Sequence, residues 1–254
     1  MALKKALITG AAGGIGAATV VAALGRGYQV FAVDSNEERL QQSWGDQDSV
    51  RAYAIDIRSA SEVSDVIRDM GSDAALVVNC AGVGNRALIA DLTDQDWAEV
   101  LSVNLTGTMV VCREVLRQMP RNSVIVNITS IAAHRSFAGR AAYCSTKAAV
   151  VAFTEVLSLE CAGKGIRAFA VSPGYVDTLM AQEQEGFVSE AMILSRVPFK
   201  RLAQPSEIAN SILALASEDF TFLSGSTVVI DGGWNANGGF WPVPALEEWH
   251  THHE

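Results

Sequence analysis

The sequence predicts a doubly wound α/β fold, with one sheet of seven parallel strands and helices on both faces. Three observations predict it. Short apolar, β-branched runs alternate with longer helical patterns over most of the chain. Several runs are apolar at nearly every position, as strands covered on both faces are. A glycine-rich turn joins the first strand to the first helix.

The strands are expected at 6–9, 29–33, 50–55, 75–78, 123–128, 167–171 and 227–230. Helical periodicity falls at 15–24, 60–69, 94–118, 142–159 and 205–216. Thr93 to Asp96 and Ser206 to Ala209 carry N-cap chemistry ahead of the apolar repeat. No Pro/Gly/Ser-rich linker divides the chain, so residues 1–254 read as a single domain. Two segments break the rhythm. Residues 179–202 follow a Pro-Gly pair and carry Met180, Phe187, Met192, Ile193 and Phe199, which suggests a lid over a substrate pocket. Residues 234–254 form a tail rich in Trp, Pro and Gly with no clear periodicity.

Composition narrows the function. Of the 254 residues 49% are hydrophobic and 19% charged, enough to build a core and too few charges for disorder. A net charge of −9 and no basic run longer than two residues speak against nucleic acid and anionic membranes as partners. Cys80, Cys112, Cys144 and Cys161 show no CxxC spacing and read as small apolar residues, which makes a reducing cytoplasm the expected location. Gly10, Gly13, Gly14 and Gly16 interrupt the apolar stretch that would otherwise imitate a secretory signal, and no stretch reads as a transmembrane helix. No metal site is expected; His250, His252 and His253 read as a frayed terminus.

The glycine-rich turn runs Thr9-Gly10-Ala11-Ala12-Gly13-Gly14-Ile15-Gly16. Glycine permits the tight turn and a close approach of backbone to a pyrophosphate, and the following helix offers free N–H groups and a positive dipole end. A dinucleotide-binding turn is therefore expected here, as in Rossmann-like folds. Asp34, directly after the second strand, stands where a carboxylate accepts hydrogen bonds from the adenosine ribose hydroxyls. Its charge repels a 2′-phosphate, and neither Gly13 nor Ser35 supplies a cation to offset it, so NAD is expected over NADP. An acid that merely caps the next helix is the alternative role for Asp34.

Tyr143 and Lys147 are four apart in a helical stretch and share a face. A phenol with a pKa near 10 is a poor base at neutral pH. A nearby ammonium favours the phenolate, so such a pair can exchange a proton with a substrate hydroxyl. Ser130, at the end of the strand expected at 123–128, is placed to hold the same oxygen.

Together these motifs resemble a short-chain dehydrogenase/reductase of the compact, roughly 250-residue type, from about Leu3 to Gly233. Thr9, Gly10, Gly14 and Gly16 resemble that family's TGxxxGxG turn. Asn79, Ala81 and Gly82 resemble its NNAG element, with Cys80 in place of one usual residue. The resemblance implies that Tyr143 is the acid/base, that Ser130 binds the substrate oxygen, and that Lys147 lowers the tyrosine pKa and holds the nicotinamide ribose. It implies that Asn104 supports a water relay to Lys147. It places Asp56 and Ile57 beside the adenine, Pro173, Gly174, Val176 and Thr178 around the nicotinamide, and 230–233 in a closing strand.

The expected reaction is therefore NAD-dependent interconversion of a secondary alcohol or diol with its ketone. A 3-oxoacyl-thioester reductase is the alternative enzyme, and a non-catalytic NAD-binding sensor or scaffold the alternative of another class. Arg86, His134, Met180 and Phe187 are candidate substrate contacts, an arginine being suited to a carboxylate or phosphate. The resemblance also implies a homotetramer built on the helices near 94–118 and 142–159, with Ala141, Ala142, Ala148, Ala149, Ala152 and Phe153 suited to helix-on-helix burial.

Overall fold

The computed structural model describes residues 4–179 and 190–237. Its strands are β1 (Lys5–Thr9), β2 (Gln29–Asp34), β3 (Val50–Ala54), β4 (Ala74–Asn79), β5 (Val124–Ile128), β6 (Arg167–Pro173) and β7 (Thr227–Ile230). They form one sheet in the order β3-β2-β1-β4-β5-β6-β7, and every neighbouring pair is parallel. Side chains alternate across the sheet with a period of two. Ala6, Ile8, Val30, Ala32, Leu76 and Val78 enter one core, whereas Leu7, Phe31, Val33 and Val77 enter the other.

Helices cover both faces. On the first lie α1 (Gly14–Leu24), α2 (Glu37–Trp44) and α8 (Pro205–Leu215), which contribute Val20, Leu40, Ile208 and Ile212. On the second lie α3 (Ala60–Met70), α5 (Thr108–Leu116) and α6 (Ala141–Cys161), contributing Val63, Ile67, Val111, Val115 and Leu157. The remaining α-helices among the described residues are α4 (Asp94–Leu101) and α7 (Glu190–Arg196). Connections from β1 leave toward β2 on one side, while β4 joins β1 on the other. The resulting crevice opens at the carboxyl ends of β1 and β4, where ligands of such sheets bind.

Three details differ from the sequence expectation. The helix expected over 94–118 is two α-helices joined by a π turn, Ser102–Gly107. Helix α2 has only Leu40 and Trp44 buried, too few apolar positions to show a period. The cap of α8 is Gln204 rather than Ser206: Pro205 opens the helix, and the Gln204 N–H donates to the Glu207 carboxylate at 2.8 Å. Thr93 does cap α4, accepting the Asp96 N–H at 3.0 Å. Met180, Phe187 and the tail beyond 237 lie outside the described residues, within which no helix is long and apolar enough to cross a membrane.

Candidate active site

The glycine-rich turn between β1 and α1 depends on missing side chains. Gly10 has φ +67°, and a Cβ there would lie 2.8 Å from the Ala81 nitrogen. A Cβ on Gly16 would lie 2.0 Å from the Gly10 carbonyl oxygen, so α1 seats directly on the turn. Three hydrogen bonds fix it from outside: Ala11 N–H to Val33 O at 3.1 Å, Trp44 Nε1–H to Ala11 O at 2.9 Å, and Ala81 N–H to Thr9 Oγ1 at 3.2 Å. No side chain caps the N-terminus of α1 and its first turn holds no acid, leaving its N–H groups and dipole for an anion. Ile15 packs onto the first core and holds that end of the helix in place.

Asp34, the last residue of β2, stands against the glycine-rich turn. Its Oδ2 accepts the Ala12 N–H at 3.0 Å and its Oδ1 the Asn36 N–H at 2.9 Å. The helix cap is instead Asn36, whose Oδ1 accepts the Arg39 N–H at 3.0 Å. The carboxylate is thus fixed at the rim of the turn rather than spent on α2. Asp56 pairs with the Arg58 guanidinium, which holds its carboxyl below the usual range. Next to it Ile57 is buried and helps line a small apolar pocket with Leu7, Val33 and Val111.

At the carboxyl end of β5, Ser130 caps a short 3₁₀ turn and shares a hydrogen bond with the Tyr143 hydroxyl. Tyr143 lies in the first turn of α6, one turn before Lys147. The Lys147 ammonium is buried, donates to Ile128 O at 3.0 Å, and lies 5.6 Å from the Tyr143 ring centre. Burial pulls its pKa down to about 8. Burial raises the Tyr143 phenol, and the Ser130 hydrogen bond and the Arg140 charge partly offset that rise. Two cations thus stand at the ring, the Lys147 ammonium nitrogen and the Arg140 guanidinium carbon, each 5.6 Å from its centre.

Asn104 sits in the π turn, fully buried. Its Oδ1 accepts the Val83 N–H at 2.8 Å and its Nδ2 donates to Val83 O at 2.9 Å. A Cβ on Gly82 would fall 3.2 Å from Asn104 Oδ1 and 3.5 Å from Lys147 Nζ. Gly82 thus separates Asn104 from Lys147 by little more than one atom. Asn79 turns its side chain into the core, donating to Asn127 Oδ1 at 2.8 Å, which leaves the backbone of 80–82 to face the crevice.

The segment after β6 completes the rim. Gly174 N–H donates to Ile230 O at 2.9 Å, and a Cβ on Gly174 would lie 2.7 Å from that of Asp231. Pro173 is the last residue of β6. Val176 is buried and bridges to Ala203, while Thr178 reaches back to Gly14, where a Cβ would lie 3.2 Å from Thr178 Cγ2.

On the substrate side, Arg86 packs its stem 3.4 Å from the Cβ position of Gly139. His134 Nε2 is 3.0 Å from Ser172 Oγ, which ties its ring to β6. Two features were not anticipated. Arg140, three residues before Tyr143 and only 9% exposed, places its guanidinium carbon 5.6 Å from that ring. Phe137, Tyr175 and Trp234 pack together, with ring centres 5.5 to 6.5 Å apart. The i, i+3 spacing of Arg140 and Tyr143 was the readable signal for the first; nothing local marks the second.

A family model described as Enoyl-(Acyl carrier protein) reductase matches residues 10–235. The chain belongs to the short-chain dehydrogenase/reductase family. It is 34% identical over 239 residues to a 3-oxoacyl-[acyl-carrier-protein] reductase of Thermotoga maritima, covering 91% of this chain and 97% of that protein. It is 35% identical over 240 residues to a D-threitol dehydrogenase of Mycolicibacterium smegmatis, covering 91% and 92%. The solved structure "ElxO with NADP Bound" superposes with a TM-score of 0.84 at 28% identity, over 92% of this chain and all of that one. In this short-chain dehydrogenase/reductase, the uncapped α1 and the glycine cradle fit a nicotinamide dinucleotide. Gly10, Gly14, Gly16 and the backbone of 80–82 would hold it.

Proposed function

We propose that this chain is an NAD-dependent dehydrogenase that interconverts a secondary alcohol or diol with the corresponding ketone. The observation carrying this reading is the meeting of Ser130, Tyr143 and Lys147 beside the crevice whose far rim is closed by Asp34. The dinucleotide, when bound, supplies acceptance or donation of a hydride at the carbon being oxidised or reduced. The rest is the work of side chains. Ser130 holds the substrate oxygen; Tyr143 takes its proton as the C–H bond breaks and the C=O bond forms, and returns it in the reverse direction. The buried Lys147 ammonium and the Arg140 guanidinium favour the phenolate that results.

Asp34 supports NAD over NADP, since a 2′-phosphate brought against this carboxylate would meet like charge. Reduction of a 3-oxoacyl thioester is the second reading, favoured by the Thermotoga maritima relative. Initial rates on secondary alcohols, diols and 3-oxoacyl thioesters with each cofactor separate the two. A marked preference for NADPH with thioesters would replace the first reading by the second. Tyr143→Phe tests for a sensor role: turnover is expected to fall by about three orders of magnitude or more with cofactor binding retained.

The same reading includes a homotetramer. Ala148, Ala152, Val156 and Leu159 form an exposed apolar stripe on α6, with Val156 53% and Leu159 78% exposed. Sedimentation as a monomer at micromolar concentration would remove this part of the proposal.

A further inference from the structure

We infer that Arg58 is a positioning residue. It ties the segment expected beside the adenine, Asp56 and Ile57, to the π turn that aims Asn104, so that filling the adenosine end of the crevice steadies Asn104. This rests on the dinucleotide reading above and adds to it a coupling between the two ends of the site.

The segment that follows β3 is stiff. The Asp56 N–H donates to the Glu62 carboxylate at 3.0 Å, the Ser59 N–H to the Asp56 carbonyl at 2.9 Å, and the Arg58 N–H to Asp56 Oδ1 at 2.9 Å. The Arg58 guanidinium forks onto the same carboxylate, with Nε 2.8 Å and Nη2 2.6 Å from Asp56 Oδ2. Its Nη1 reaches across to α4 and the π turn, 2.8 Å from Glu99 Oε2 and 3.3 Å from Ser102 Oγ. A planar guanidinium can serve two carboxylates and a hydroxyl at once.

Ile57 meets the same turn at its other end. A Cβ on Gly107 would fall 2.6 Å from Ile57 Cδ1, so the Gly107 backbone rests on that buried side chain. Ser102 and Gly107 are the first and last residues of the π turn. Two consecutive residues therefore grip both ends of one irregular segment, Arg58 by charge and Ile57 by packing. A partly exposed ion pair stabilises little by itself. What matters here is what its two ends are attached to.

Between the gripped ends lies Asn104. Its Oδ1 accepts the Val83 N–H at 2.8 Å, and its Nδ2 donates to Val83 O at 2.9 Å and to Thr146 Oγ1 at 3.3 Å. Thr146, buried in α6, donates in turn to the Tyr143 carbonyl at 2.9 Å. A displacement of the π turn would therefore be felt at Val83 and in the turn of α6 that carries Tyr143 and Lys147. Because the segment of Asp56 is held at several points, a ligand pressing on it shifts or steadies the π turn rather than bending the loop between them.

AMP occupies the adenosine end alone and serves as the probe. Saturating AMP is expected to slow hydrogen exchange at the Val83 amide about tenfold in the wild type and less than about twofold in Arg58→Gln. Equal slowing in both proteins, or none in the wild type although AMP binds, would overturn the inference and leave the dinucleotide reading standing. Failure of both AMP and NADH to bind removes that reading, and the tie with it. Turnover supplies a second readout. Arg58→Gln is expected to lower kcat about fivefold while the Kd for NADH stays within about threefold, with Arg58→Lys restoring part of the loss. Glu99→Ala is expected to match Arg58→Gln, and the double variant to be no worse than either, because both cut one tie. A weaker NADH affinity at unchanged kcat would make Arg58 a contact of the adenine end only, and fully additive losses would contradict a shared tie. Should Arg58→Gln fold poorly, Glu99→Ala, a change at an exposed position, carries the exchange comparison.

Discussion

The ammonium of Lys147 donates to the backbone carbonyl of Ile128 at 3.0 Å. That single bond fixes the lysine 5.6 Å from the centre of the Tyr143 ring and joins α6 to the end of β5. It also commits a buried cation to a site whose surroundings disfavour charge. Burial lowers the Lys147 pKa from 10.5 to about 8.

A stability difference follows, with a definite sign. Between pH 8 and 10.5 the unfolded chain binds this proton more firmly than the folded one, so the group makes folding more favourable as pH rises. The effect spans about 3 kcal/mol across that window. Below pH 8 both states are protonated and the full burial cost is present. Lys147→Met is therefore expected to raise the urea midpoint of the cofactor-free protein at pH 7, by an amount that shrinks toward pH 10.5. Cys80 and Cys112, pushed up to about 12 by burial, act in the opposite sense above pH 9, and Cys80 does so more strongly in the variant because the Lys147 charge lowers its pKa. A lower midpoint for the variant at pH 7 would show that the bond to Ile128 outweighs desolvation.

The two glycines Gly13 and Gly16 should respond differently to the same change. A Cβ on Gly13 meets nothing within 4 Å, whereas one on Gly16 meets the Gly10 carbonyl at 2.0 Å. Gly13→Ala is expected to keep dinucleotide binding within about threefold, and Gly16→Ala to abolish it or prevent folding. Fluorescence titration with NADH and circular dichroism distinguish the cases.

Cofactor choice is expected to turn on Asp34. Asp34→Asn keeps an acceptor for the Ala12 or Asn36 N–H and removes the charge. The ratio of kcat/KM for NAD over NADP is expected to fall about tenfold or more. An unchanged ratio would place the discrimination elsewhere.

Trp44 steadies the turn from behind, its indole N–H donating to the Ala11 carbonyl at 2.9 Å from a buried position. Trp44→Phe retains most of the packing and deletes that bond, worth about 1 kcal/mol. The KM for the dinucleotide is expected to rise about fivefold with kcat little changed. A fall in kcat at constant KM would contradict a positioning role.

What the sequence made legible was whatever lives in local pattern. The five inner strands were readable because they are apolar and buried on both faces, and the edge strands β3 and β7, only partly buried, because they are short β-branched or aromatic runs. The glycine turn and the Tyr143–Lys147 spacing were readable because both rest on fixed residue intervals. What stayed hidden depends on partners remote in the chain. Lys147 is held by a backbone carbonyl, which no side-chain pattern reveals. Trp234 meets Phe137 only after β7 docks beside β6. The helix over 94–118 read as continuous because its apolar repeat passes through the π turn without a break.

That π turn has a consequence for how the protein can change. A π segment accommodates one residue more than the regular helix would, and it is here that Asn104 is aimed at Val83. Deleting one residue between Ser102 and Gly107 would restore an unbroken α-helix with better backbone bonding. It would also rotate Asn104 by about 100° away from the crevice. The chain therefore carries a local irregularity that a more regular ancestor or design would lack, and the route back to regularity runs through loss of the site.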